Sequence, residues 1–193
     1  LSMISSFIMV ELFHVTFSPE LAAKQEKSQQ AAKKLIKQIQ QELEAVESLN
    51  EDRILRRFLA LIQATLRTNF YQTTLEGKNK PYISFKLNPL LIPDLPLPRP
   101  AYEIFVYSPT MEGVHLRGGK IARGGIRWSD RREDYRDEVL GLMKAQNVKN
   151  SIIVPSGAKG GFYCKQIPES RDGTQAEAVE CYKIFVRAIS LYP

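Results

Sequence analysis

Five prolines fall within the thirteen residues NPLLIPDLPLPRP at positions 88–100. Proline fixes φ and lacks the backbone N–H donor, so this stretch can form neither an α-helix nor a central β-strand. We therefore predict an extended connection between two strands, YISFKL at 82–87 and YEIFVYS at 102–108. The turn-rich stretch TTLEGKNKPY (73–82) separates a part with helical patterns from a part where strand and helix patterns alternate. This change predicts an N-terminal segment 1–78 and a separate domain 79–193.

The N-terminal segment is rich in helix-forming residues. Residues 1–18 are apolar and contain β-branched residues, which fits either a strand or a short helix. Residues 19–48 carry apolar side chains at steps of three and four, which indicates an amphipathic helix. The sequence SLNED at 48–52 ends that helix and offers Asn50 as the N-cap of a second one. Two helices joined by a short loop predict an antiparallel helical hairpin.

The second part of the chain alternates between strand-like and helix-like stretches. The further predicted strands are 113–119, 120–129 (broken by a glycine pair) and 151–155, and the predicted helices are 132–150 and 175–192. The predicted fold class is α/β, with an N-terminal helical hairpin and a mixed sheet flanked by helices.

The positive charge of the chain is concentrated in one region. The formal net charge is +6, and residues 117–165 hold 11 Lys/Arg against 5 Asp/Glu, so they account for the whole excess. A basic, glycine-containing region favours an anionic ligand, either nucleic acid or a small dicarboxylate or phosphate. Two cysteines make no disulfide framework, which favours a reducing compartment, and we expect a cytoplasmic protein. No run of apolar residues is long enough to predict a membrane span.

Two polar residues continue an apolar stripe on the predicted helix 132–150. The stripe begins with Val139, Leu142 and Met143. The same spacing leads to Gln146 and Lys149, where a buried amide or ammonium costs about 1–3 kcal/mol unless it is satisfied. A carboxylate ligand would satisfy both groups. The alternative is that Lys149 caps the end of the helix and points to solvent.

Two glycine-rich motifs carry basic residues. In ARGGIRWSD, Arg123 precedes Gly124 and Gly125, which allow positive φ and a close approach to a ligand; the alternative is a β-bulge with surface arginines. In SGAKGGFYCKQ, Lys159 stands in a predicted turn at 157–161, but its order relative to the glycines is not that of a Walker A loop. Lys159 is either a general acid/base and amine partner of a carbonyl or an exposed turn lysine.

No metal site is predicted. His14 and His115 stand far apart in the sequence, and neither has a cysteine or histidine at metal-ligand spacing. No Ser-His-Asp or Cys-His arrangement stands out either.

Three polar motifs, GGIRW, LMKAQNVKNS and PSGAKGGF, follow one another in an order that resembles the substrate domain of glutamate dehydrogenases. In that superfamily a K-G-G-[IL]-R-[FY] element precedes a helix ending Q-x-x-K-N, a strand and a G-x-K-G-G turn. Longer stretches, such as EGVHLRGGKIARGGIRWSDRREDYRDEVLGLMKAQNVKNSIIVP, are similar to the large NAD-specific bacterial enzymes. The resemblance covers roughly residues 40–190.

The resemblance implies a role for each matching residue. Lys159 matches the catalytic lysine, which polarises the carbonyl of 2-oxoglutarate and moves protons. Lys149 matches the lysine that binds the substrate α-carboxylate, and Gln146 matches its helper. Arg123, with Gly124 after it, stands where the smaller enzymes have a lysine for the distal carboxylate. Arginine keeps that charge but presents a bidentate fork.

The resemblance also implies a wider setting. It predicts oxidative deamination of L-glutamate with NAD, which would bind mainly to a Rossmann domain that we expect to lie outside this chain, along with a further aspartate. The chain is then a C-terminally truncated substrate domain that is inactive alone, from a homo-oligomer that binds a small molecule and no nucleic acid or membrane. The alternative is a basic, glycine-rich module that binds nucleic acid or phosphate.

Overall fold

A computed structural model describes residues 3–22, 24–149 and 156–192. The predicted strand 151–155 lies outside the described residues. Residue contacts divide the chain into two compact units, Leu1–Thr65 with Leu91–Asp94, and Leu66–Leu90 with Leu95–Pro193. The division into domains at residues 78 and 79 stays a prediction.

The first unit is helical. Its helices are α1 (Met3–Phe17), α2 (Pro19–Ala22), α3 (Gln25–Glu44) and α4 (Leu49–Ala64). The N-cap of α4 is Ser48, whose Oγ accepts a hydrogen bond from the Glu51 backbone N–H, so the prediction of Asn50 as the cap was wrong by two residues.

The stretch predicted as either a strand or a short helix contains α1 (Met3–Phe17), so the helical alternative is the one observed in its described part. Residues of α1 share a buried apolar core with α3 and α4, so three helices, not two, contribute to it. This core contains Ile8, Met9, Leu12, Ile39, Leu43, Leu55 and Leu59. Burial accounts for only part of the apolar run of α1, because Phe7 and Val10 are 73% and 68% exposed.

The second unit is built on a six-stranded sheet. Its strands are β1 (Thr65–Thr68), β2 (Ile83–Leu87), β3 (Tyr102–Tyr107), β4 (Met111–Arg117), β5 (Ile126–Trp128) and β6 (Ala158–Cys164), and their order is β1-β2-β3-β4-β6-β5. The β2–β3, β3–β4 and β4–β6 pairs are antiparallel, whereas β5 and β6 are parallel. The sheet is therefore mixed, and the predicted α/β class is confirmed at this level.

Two helices flank the sheet, α5 (Tyr135–Lys149) and α6 (Arg171–Ile189). We call the two sides of the sheet the α5 face and the α6 face. The α5 face is packed around Val114, Leu116, Tyr135, Val139, Leu140, Met143 and Tyr163. The α6 face is packed around Ile104, Val106, Met111, Phe162, Cys164, Ala178, Cys181, Phe185, Ala188 and Tyr192.

The proline-rich segment is not wholly extended. It begins with a short 3-10 helix at Pro89–Leu91, and its Leu97–Pro98 peptide bond is cis. Among the described residues, no helix is long and apolar enough to cross a membrane.

Candidate active site

Lys159 lies on a central strand of the sheet. The sequence predicted a glycine-rich turn at residues 157–161, but Ala158–Cys164 forms β6, between β4 and β5. Lys159 pairs with Leu116 of β4, and its side chain is half-buried. The prediction of a turn was therefore wrong for residues 158–161.

The glycines after Lys159 leave room for side chains that pack against the two faces of the sheet. A Cβ at Gly161 would lie 2.2 Å from Cγ2 of Val139 in α5. A Cβ at Gly160 would lie 3.1 Å from atoms of His115, Ile126 and Phe185, on the α6 face. Glycine is thus needed because neighbouring side chains fill the space on both faces, and neither residue has a positive φ.

The alternation of a strand places Lys159 on the α5 face. Gly161 faces Val139 of α5, and side chains two residues apart on a strand share one face. The Lys159 ammonium lies next to the second glycine motif, because a Cβ built on Gly125 would be 3.8 Å from Lys159 Nζ. The fold thereby brings together two motifs that are 34 residues apart in the sequence, from Gly125 to Lys159.

The residues Arg123–Gly125 run alongside the start of β6. The Ala158 N–H donates to the Arg123 carbonyl at 2.9 Å, and the Gly160 N–H donates to the Gly125 carbonyl at 3.0 Å. A Cβ at Gly124 would lie 1.4 Å from the Ala158 carbonyl oxygen. The close approach predicted for a ligand is thus made by the backbone of β6, and neither Gly124 nor Gly125 has a positive φ.

Helix α5 carries the other two predicted substrate residues. Tyr135, Val139, Leu140 and Met143 are buried, whereas Leu142 is only half-buried, so the predicted stripe was shifted at that position. Gln146 is half-buried one turn beyond Met143, as expected for a continuation of the stripe. Lys149 is the last residue of α5, and its side chain lies outside the described part.

An ion pair joins the edge strand β5 to α5. Arg127 Nε lies 2.7 Å from Glu138 Oε1, and the Ser129 hydroxyl donates to Glu138 Oε2 at 2.6 Å. The Glu138 side chain is 14% exposed, so its two partners satisfy a largely buried carboxylate. The contacts hold the strand that follows Gly125 against the helix that carries Gln146.

A second ion pair joins β3 to α5. Arg136 donates to Glu103 through Nε at 2.9 Å and Nη2 at 2.6 Å, in a bidentate arrangement. Burial opposes the charge on Arg136, but the hydrogen bonds to Glu103 and its negative charge outweigh that effect and raise the pKa of Arg136.

Only one feature of the sequence points to either of these two ion pairs. Glu103 is a lone carboxylate within the apolar strand YEIFVY, and it is 5% exposed. Such a residue predicts a basic partner, because a buried unpaired charge is costly. Arg127 and Glu138 lie on different elements, and no spacing rule relates them.

Metal binding has no support in the described residues, because within 3–22, 24–149 and 156–192 no three His, Cys, Asp or Glu side chains are grouped to hold an ion. A pocket of about 490 Å³ lies on the α6 face, lined in part by Trp128, Phe162 and Tyr182. None of the predicted site residues lines that pocket.

Comparison with known proteins finds the same family by a family model and by individual relatives. Residues 38–191 match the model of a family described as bacterial NAD-glutamate dehydrogenase, catalytic domain. The chain is 58% identical over 190 residues to the NAD-specific glutamate dehydrogenase of Pseudomonas aeruginosa, covering 94% of this chain and 11% of that protein.

Two other relatives carry the same name. The protein from Halomonas elongata is 63% identical over 149 residues, covering 76% of this chain and 9% of the relative. The protein from Mycobacterium tuberculosis is 49% identical over 189 residues, covering 94% of this chain and 12% of the relative. The chain therefore spans about a tenth of the length of these relatives.

Proposed function

The chain belongs to the catalytic-domain family of the bacterial NAD-glutamate dehydrogenases, and from that premise we propose that it supplies the substrate-binding part of such an enzyme. The reaction is the conversion of L-glutamate, NAD⁺ and water to 2-oxoglutarate, ammonium, NADH and a proton. We propose that the remaining parts of the catalytic region lie outside this chain, so that the chain has no turnover alone. The family favours this function over the alternative of a nucleic-acid or phosphate-binding module.

The observation that carries the proposal is the position of Lys159. Its Nζ lies beside Gly125, within ordinary contact distance of a Cβ built there. Lys159 therefore stands at the junction of β6 and the Arg123–Gly125 segment, on the face that also carries α5. A basic side chain at such a junction can reach a ligand that is bound between the two motifs.

We assign each substrate group to one part of this junction. The ammonium of Lys149 and the amide of Gln146 bind the α-carboxylate. Arg123 neutralises the distal carboxylate. Gly124 has no side chain, so the backbone after Arg123 can lie close to β6. Arg123 is exposed on the protein surface and carries a charge that a bidentate carboxylate matches. Fixed cations around a dicarboxylate stabilise the charge that develops during reaction.

Lys159 acts at Cα of glutamate, the carbon that loses a hydride. When bound, NAD⁺ would supply the hydride acceptor for Cα of glutamate, so that the substrate becomes an imine of 2-oxoglutarate. Lys159 then assists the addition of water to the imine carbon and the transfer of protons that releases ammonium. A positioned general acid/base contributes typically about 10²–10⁴-fold to the rate of such a step.

We assign no residue of this chain to NAD. The pyrophosphate of NAD is usually bound by a G-x-G-x-x-G turn that follows a strand and opens a helix, and the 193 residues contain no such spacing of glycines. We propose that NAD binds mainly to another domain of the polypeptide, which also supplies an aspartate to the reaction. We also propose a cytoplasmic homo-oligomer.

Titration calorimetry with 2-oxoglutarate tests the assignment of the carboxylate sites. We expect the full-length polypeptide to bind 2-oxoglutarate and the Lys149→Ala and Gln146→Ala variants to bind it more weakly. The expected loss is about tenfold or more for Lys149→Ala, because charged hydrogen bonds contribute about 1.5–3 kcal/mol. Lys144→Ala is the matched control, since Lys144 is an exposed lysine on α5. Equal binding by Lys149→Ala would contradict the assignment.

A further inference from the structure

Three basic side chains lie together on the α6 face of the sheet. Arg117 ends β4 and pairs with Tyr102 of β3. Lys86 Nζ lies 5.1 Å from the centre of the Tyr102 ring, so Lys86 and Arg117 approach the same tyrosine. The guanidinium carbon of Arg67, on β1, lies 5.7 Å from the centre of the Tyr192 ring. We call Arg67, Lys86 and Arg117 the cationic cluster.

The charges of the cationic cluster repel one another. Burial is the largest cause that lowers the pKa of Lys86, and the positive charges of Arg117 and Arg67 lower it further. Lys86 and Arg117 are both half-buried, whereas Arg67 is exposed. Like charges held together at a partly buried site destabilise the fold unless an anion compensates them.

No acidic side chain of the described residues compensates the cationic cluster. Arg117 Nη2 donates to the Lys120 carbonyl at 2.9 Å, but the buried Arg117 Nε has no hydrogen-bond partner within 3–22, 24–149 and 156–192. The residues outside those ranges include neither aspartate nor glutamate. The α5 face differs, because it carries the ion pairs Arg127–Glu138, Arg136–Glu103 and Lys165–Glu112.

We propose that the cationic cluster binds a small, doubly charged oxyanion, a phosphate group. Two guanidinium groups and one ammonium offer several N–H donors to one phosphate, and three positive charges exceed its charge of about −1.5 to −2 at neutral pH. The half-buried position strengthens each contact relative to solvent. The site lies on the α6 face and Lys159 lies on the α5 face, so the phosphate site is separate from the proposed substrate site and does not depend on it.

Titration of inorganic phosphate into the full-length polypeptide tests this proposal, with binding followed by phosphorus NMR and calorimetry. Sodium chloride keeps the ionic strength constant, so that general screening is not mistaken for binding. We expect saturable binding to the wild type, and affinity at least tenfold lower for Lys86→Gln and for Arg117→Gln. Arg67→Gln changes an exposed residue and should give the same loss without disturbing the fold. Lys78→Gln is the matched control, because Lys78 is a surface lysine, 78% exposed, paired with Glu76.

Two outcomes would overturn the proposal. One is no phosphate binding to the wild type, which would occur if an acidic segment of the polypeptide already filled the cationic cluster. The other is unchanged binding in the folded Arg67→Gln and Lys86→Gln variants. Lys159→Ala should retain phosphate binding whether or not turnover is lost, so the failure of one proposal is distinguishable from failure of the other.

Discussion

Substitution by alanine should disturb the edge of the sheet at Gly124 but hardly at its neighbour Gly125. A Cβ at Gly124 would lie 1.4 Å from the Ala158 carbonyl oxygen, whereas real Cβ contacts are essentially never closer than 3.0 Å. The Arg123–Gly125 segment must therefore move away from β6 in Gly124→Ala. A Cβ at Gly125 would meet only Lys159 Nζ, at 3.8 Å, which is ordinary contact.

The expected magnitude follows from the hydrogen bonds around Gly124. The movement breaks the bond from the Ala158 N–H to the Arg123 carbonyl and the bond from the Arg123 N–H to the Ser156 carbonyl, at 2.9 and 3.2 Å. Two backbone hydrogen bonds contribute about 2 kcal/mol, which corresponds to roughly 30-fold in a local opening equilibrium. For Gly125→Ala we expect a change below about 1 kcal/mol, because alanine also restricts the unfolded chain.

Hydrogen exchange measured by mass spectrometry distinguishes the two variants in the full-length polypeptide. Peptides that cover residues 120–130 and 156–164 should exchange roughly 30-fold faster in Gly124→Ala and at the wild-type rate in Gly125→Ala. If the two variants exchanged alike, the close backbone contact between Gly124 and β6 would be refuted.

Three further predictions concern the sheet and its helices. Gly161→Ala should lower the free energy of unfolding by about 1–3 kcal/mol, because its Cβ would lie 2.2 Å from Val139. In a double-mutant cycle followed by urea unfolding, Val139→Ala should reduce that loss. Additive effects of the two substitutions would count against this packing. Burial, and then the charge of Arg117, lowers the pKa of His115 to about 4, so the unfolded chain binds the proton more readily and stability should fall as pH falls from 6.5 towards 4. The loss is about 3 kcal/mol in order of magnitude, and thermal unfolding of a His115→Gln variant should lack that part of the pH dependence. Glu138→Ala should release β5 and speed hydrogen exchange in residues 126–129, whereas equal exchange would show that its contacts at 2.6 and 2.7 Å are not needed there.

Local sequence patterns predicted most of the elements of the second unit. The predicted strands at 82–87, 102–108 and 113–119 and the helix at 132–150 correspond to β2, β3, β4 and α5. Alternation and helical spacing of apolar residues are sufficient where one face of an element is buried. The coarse α/β class followed from these elements.

The error at Lys159 has a long-range cause. Three glycines within five residues are typical of a turn, but here Gly160 and Gly161 sit in a central strand, because residues of α5 and α6 fill the space on its two faces. Those residues are distant in the sequence, so local propensity could not reveal them. The ion pair between Arg127 and Glu138 escaped prediction for the same reason.

The residues of the candidate site are predicted by sequence motifs, whereas their arrangement in space is not. Lys159, Arg123, Gln146 and Lys149 were singled out by resemblance and by polar positions on an apolar stripe. The contact between Lys159 Nζ and the Gly125 position depends on the parallel pairing of β5 with β6, which the sequence pattern did not determine. Strand order is a property of the whole sheet and not of any one segment.

The catalytic role of Lys159 is tested by glutamate-dependent NADH formation in the full-length polypeptide and its Lys159→Ala variant. If Lys159 is the general acid/base, kcat should fall by about 10²–10⁴-fold, with a much smaller change in 2-oxoglutarate binding. Lys144→Ala, an exposed lysine on α5, should retain wild-type turnover. A folded Lys159→Ala variant that formed NADH at the wild-type rate would show that Lys159 is not the general acid/base.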